Sequence, residues 1–85
     1  MTALNNSTPL ARPLVVRSGV LAADIRTISD AAMFITNLPK MYDGRLHWTL
    51  AGSTLEAADR HPEDADLLRT ATLAMENALV TERML

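Results

Sequence analysis

The sequence predicts an α+β fold: an N-terminal antiparallel β-hairpin packed against two or three C-terminal helices. Three observations predict it. Apolar and polar residues alternate across residues 20–26, just after the apolar stretch Leu14-Val15-Val16. Thr27-Ile28-Ser29-Asp30 has the pattern of a helix start. Beyond Pro62, Leu67, Leu68, Ala71, Ala74, Met75, Ala78 and Leu79 form a wide apolar helical stripe.

The elements follow in order. Residues 1–11 are small and polar and are broken by Pro9, so a flexible tail is expected. The domain is expected over residues 12–85. Pro13 lacks a backbone donor, which suits a strand start or an edge. Ser18-Gly19 signals a turn, giving strands over roughly 13–18 and 20–26. Leu21, Ala23 and Ile25 share one face of the second strand; Ala22, Asp24 and Arg26 share the other. Two strands are marginal alone, so helices must cover the apolar face.

Thr27 is placed to accept from the amide of Asp30, and Asp30 to reach back to the amide of Thr27. Ala31, Phe34, Ile35 and Leu38 follow at helical spacing until Pro39 stops the run. A helix over about 28–38 results, with Phe34 as the expected aromatic anchor of the core. Residues 40–44 form a loop. The next segment reads two ways. Leu46, Trp48 and Leu50 alternate with polar residues, as in a third strand, and Ser53 to Glu56 would then open a short helix. Alternatively one helix covers about 45–60, with Trp48, Ala51, Leu55 and Ala58 on one side. Asp43 would cap that helix and Glu56–Arg60 would support it. Gly52 costs it about 1 kcal/mol and permits close packing. The helix is the preferred reading. Pro62 is expected at the first position of the last helix, with Glu63, Asp64 and Asp66 at the positive end of its dipole.

Composition bounds the function. The chain has 85 residues, 48% hydrophobic and 4% aromatic. That supplies one small core of Leu, Val, Ile, Met and Ala. Stability near the low end of the usual range is expected, and self-association is a natural remedy. The formal net charge is −2. Residues 1–42 carry four cations and two anions, and residues 43–85 four cations and eight anions. Such asymmetry suits the steering of a partner or a second copy, although two ordinarily solvated faces are the plainer reading. Cysteine is absent, which excludes disulfides, thiolate nucleophiles and iron–sulfur clusters. Neither a signal peptide nor an apolar run of membrane-spanning length is evident, so a cytoplasmic location without membrane contact is expected.

A longer pattern is also visible. Arg12-Pro13-Leu14-Val15-Val16 precedes Ile25-Arg26-Thr27-Ile28-Ser29-Asp30-Ala31-Ala32-Met33-Phe34-Ile35. Leu38-Pro39, Gly44-Arg45-Leu46-His47 and an alanine-rich tail follow. Over roughly residues 12–80 this resembles a family of small proteins of unknown function, found mostly in rhizobia and related alphaproteobacteria. The resemblance implies a short β-hairpin with helices packed on it and favours helix over 45–60. Members commonly have Trp before the proline where this chain has Leu38. The family has no established activity, cofactor or binding residues to transfer.

No catalytic residues, cofactor or metal site are expected. His47 and His61 lie fourteen positions apart. On one helix that is about 21 Å, too far for a shared metal ion. There is no nucleophile elbow, and Gly19, Gly44 and Gly52 are isolated, so no phosphate-cradling loop exists. The distinctive cluster is Tyr42, Asp43, Arg45, His47 and Trp48, beside Lys40. Tyrosine, tryptophan and arginine dominate binding hot spots, so these five residues form a candidate interaction surface. The plainer reading places Trp48 in the core and Asp43 at a helix cap. The expected function is a small non-enzymatic interaction or regulatory protein that self-associates, as a dimer or other homo-oligomer, or binds a small protein partner. One alternative is a nucleic-acid-binding module using Arg12, Arg17, Arg26 and Lys40 in the positive N-terminal half, although no aromatic pair forms a stacking platform there. Another is a small-molecule-binding protein or enzyme with its site near Tyr42–Trp48.

Overall fold

The computed structural model describes residues 7–17, 22–42 and 44–85. The elements are β1 (Pro9–Val16), β2 (Ala23–Thr27), α1 (Ile28–Thr36), a 3-10 turn (Lys40–Tyr42), α2 (Leu46–Arg60) and α3 (Ala65–Thr81). β1 and β2 pair antiparallel, and the three helices follow. The architecture is therefore α+β, an N-terminal hairpin packed against three helices. The expected Ser18-Gly19 turn, the Asp43 cap and residues 1–6 of the expected tail lie outside the described residues.

β1 begins at Pro9 and not near Pro13. The register explains the early start. Pro9 faces Thr27 while Leu14 faces Ile25, so β1 takes five steps where β2 takes two. The extra residues leave the ladder and turn toward α3. The Ala11 amide donates to Thr72 Oγ1 of α3 at 3.0 Å. Leu10 is buried. Pro13 has no amide to contribute to the ladder, which suits an irregular stretch. In β2 the alternation holds: Ile25 is buried, while Asp24 and Arg26 are exposed.

Thr27 caps α1 by accepting from the Asp30 amide at 3.1 Å. The Asp30 carboxylate reaches one residue further back than expected, to the Arg26 amide at 3.1 Å. α1 stops at Thr36, two residues before the expected end. Asn37 forms its C-cap, and Pro39 disfavours helical geometry at Leu38.

Residues 46–60 are helical throughout. Trp48, Ala51, Leu55 and Ala58 are its buried side, as the helical reading requires. Neither the third strand nor the Ser53–Glu56 capping box forms. Pro62 does not open α3. The Asp64 amide donates to the His61 carbonyl at 3.0 Å, so Pro62 occupies the second position of a tight turn. Asp64 then caps α3, its Oδ1 accepting from Asp66 and Leu67 at 3.0 and 3.2 Å.

The core joins Leu10, Leu14 and Val16 of β1, Ile25 of β2 and Ile28 and Ala31 of α1 to the inner faces of α2 and α3. Trp48, at 5% exposure, is its aromatic residue. Phe34 is only half-buried and packs against that core from outside. The reason is angular: Ile28 and Ala31 hold the inward face of α1, and Phe34 lies to one side. Beyond α3, Arg83 adopts φ 59°. The Met84 amide donates to Leu79 at 2.8 Å and the Arg83 amide to Val80 at 3.0 Å. This is a Schellman ending, and it buries Met84 in the core. The Met84 carbonyl accepts from the Arg17 amide at 3.2 Å, which ties the end of α3 to β1.

A candidate interaction surface around Glu82

α2 and α3 bring Arg45, His47 and Trp48, at the amino end of α2, to Glu82, at the carboxyl end of α3. Arg45 Nη1 donates to both Glu82 oxygens, at 2.7 and 2.8 Å. His47 Nε2 lies 2.9 Å from Oε2. Trp48 Nε1 donates to the same oxygen at 3.1 Å. The Glu82 side chain is only 9% exposed. Burial pushes its pKa up, but hydrogen bonds from His47, Trp48 and Arg45, with the Arg45 charge, outweigh this. The net result holds the carboxyl below its ordinary value of 4.5.

Aromatic contacts surround this carboxylate. The Arg45 guanidinium sits 5.2 Å from the centre of the Tyr42 ring, a cation–π distance. Trp48 packs between His47 and Phe34, with ring centres 5.5 and 6.1 Å away. Beside them a shallow concavity of about 220 Å³ is lined by Ile35, Leu38, Tyr42, Gly44, Trp48 and Thr49.

Four of the five candidate residues, Tyr42, Arg45, His47 and Trp48, therefore share one neighbourhood. Asp43 lies outside the described residues. Lys40 is exposed on the 3-10 turn. Sequence reasoning missed Glu82, the acceptor that organises the group. Its signal was electrostatic: an acidic residue at a helix carboxyl end opposes the dipole and needs compensation. Here the compensation is the Arg45 charge, together with the positive amino end of α2 beside which the Glu82 carboxylate lies.

Chemically the cluster is a clamp. The carboxylate already accepts from three side chains. Trp48 is committed to the core. Arg45, 43% exposed, and the partly exposed Tyr42 and His47 are what the cluster offers outward. Among the described residues no group of three His, Asp or Glu side chains is arranged to hold a metal ion. No described helix is long and apolar enough to cross a membrane. In comparisons with known proteins, no family model, curated protein or solved structure matches the chain.

Proposed function

We propose that the chain is a small non-enzymatic interaction protein that self-associates, using the outer faces of α2 and α3. One observation carries this reading: each helix has large apolar residues on the side away from its core stripe. On α2 these are Leu46, 71% exposed, and Leu50, one turn later. On α3 they are Leu73 and Val80, two turns apart and also exposed. The fold does not need them buried, and a light core gains from covering apolar surface. The Glu82 clamp supports the reading by fixing the amino end of α2, which carries Leu46. An ordered face loses less entropy when a partner docks.

The cations of the N-terminal half favour a protein partner over nucleic acid. Arg12 pairs with Glu76, which lowers the charge free to meet phosphate. Sedimentation velocity from micromolar to millimolar protein tests self-association. The expected result is a species of twice the 9.3 kDa chain mass that grows with concentration. It should be lost when Leu46 and Leu50 are both replaced by Gln. A wild-type chain that stays monomeric across the range overturns the reading.

A further inference from the structure

We infer that the groove between β2 and α1 binds a short extended peptide, one with a large apolar side chain flanked by basic residues. This deepens the reading of the chain as an interaction protein by naming a partner chemistry, and it concerns a different face from the outer leucines. The groove measures about 330 Å³. One wall is β2 with the residue before it, Ala22 to Ile25; the other is Asp30, Met33, Phe34 and Asn37. Those four positions fall at i, i+3, i+4 and i+7, so one face of α1 runs alongside the strand.

The strand side favours an extended occupant. Among the described residues β2 pairs only with β1, and no described strand occupies its second edge. The Arg26 amide points away from β1, to Asp30. Strand alternation turns the backbone groups of Asp24 the same way, toward the groove. A peptide laid there would bond to that edge and send alternate side chains toward α1, the mode of β-strand addition. From Asp30 to Asn37 the helix wall runs about 10 Å. An extended chain covers that length in about three residues.

The walls set the side-chain chemistry. Met33 is 60% exposed, and Phe34, packed on the core by one side, is half-buried, so the helix wall keeps exposed apolar surface. Asp24 and Asp30 place two carboxylates on the lining, and no Lys or Arg lines it. Arg26 reaches Asp24 only at 3.5 Å, with both side chains mostly exposed, a weak pair that an incoming cation can displace.

The test uses the full chain labelled with ¹⁵N and a capped peptide, Lys-Thr-Leu-Thr-Lys. Its leucine and both lysines share one face when extended. The expected result is amide shifts confined to residues 22–26 and 30–37. Replacing both lysines by Glu should weaken binding about tenfold, since two attractive pairs become repulsive. Met33→Gln keeps a good helix former at an exposed site and should also weaken binding. Asp24→Lys should shift the preference toward the Glu peptide. Absence of shifts at the groove, or equal binding of the two peptides, overturns the inference. Sedimentation of the same samples separates it from self-association. A monomer that binds the peptide sustains this inference alone, and a dimer that ignores it sustains only the other.

Discussion

The Trp48 indole N–H donates to Glu82 Oε2 at 3.1 Å, joining the first turn of α2 to the residue that caps α3. Arg45 and His47 meet the same carboxylate. The ionised form is the one these donors stabilise. A carboxyl whose folded pKa is lowered adds stability above its unfolded value, and loses it as pH falls through the folded one. Glu82→Gln keeps the shape and an acceptor oxygen but removes the charge. It should cost about 1–2 kcal/mol at neutral pH, toward the low end for charged hydrogen bonds because Arg45 is partly exposed. The gap between wild type and variant should close as pH drops from 4.5 through the lowered value. Urea titrations at stepped pH read this directly. A gap that stays constant with pH would mean the charge contributes nothing.

The two aromatic neighbours should differ in cost. Trp48 is nearly inaccessible and Phe34 half-buried, although their rings lie 6.1 Å apart. Trp48→Ala should therefore cost about 3–5 kcal/mol, enough to unfold much of a small domain. Phe34→Ala should cost roughly half that, because part of its surface already meets water. Thermal or denaturant melts of the two variants compare them. A larger loss for Phe34 would reverse the packing order described here.

Among the described residues, Thr72 is the one buried polar side chain of the core. Its hydroxyl donates to the Leu68 carbonyl at 2.7 Å and accepts from the Ala11 amide at 3.0 Å. Thr72→Val has nearly the same volume but leaves the Ala11 amide without its acceptor. The expected cost is about 1–3 kcal/mol. Hydrogen exchange should quicken at Ala11 more than at Ile25, whose protection depends on the β1–β2 ladder. Equal effects at both would show that Thr72 acts through packing alone.

Local signals made most of the fold legible. The alternation around Ile25, the Thr27 cap and the helical spacing of Trp48, Ala51, Leu55 and Ala58 each involve neighbours in sequence. What escaped depends on distant partners. Pro9–Ala11 reads as tail until Thr72, sixty-one residues away, supplies an acceptor for Ala11. Pro62 suits both a helix start and a turn, and the Asp64 carboxylate decides between them. The candidate cluster was legible as a set of residue types. Its organising acceptor was not, because Glu82 lies more than thirty residues beyond Trp48.

The two described glycines should respond oppositely to alanine. Gly44 has φ +78°, where a side chain is strained. Gly44→Ala should cost about 1 kcal/mol. Gly52 sits inside α2, and a Cβ there would meet nothing within 4 Å. No described neighbour uses the close approach that a glycine permits, so its helix penalty remains. Gly52→Ala should stabilise by about 1 kcal/mol. Chemical denaturation of both variants checks the pair, and a destabilising Gly52→Ala would place a neighbour where none is described.

Arg83 carries the final prediction. It occupies the left-handed position of the Schellman ending, at φ 59°, where glycine is usual. The strain persists because both neighbouring bonds and the burial of Met84 depend on that turn. Arg83→Gly should stabilise by about 0.5–1 kcal/mol, by removing the Cβ clash and despite a more flexible unfolded chain. Arg83→Ala removes the same charge and keeps the Cβ, so it should change stability little. The difference between the two variants isolates backbone strain from charge. If Ala and Gly stabilise equally, the effect is electrostatic and the left-handed turn is not the source of strain.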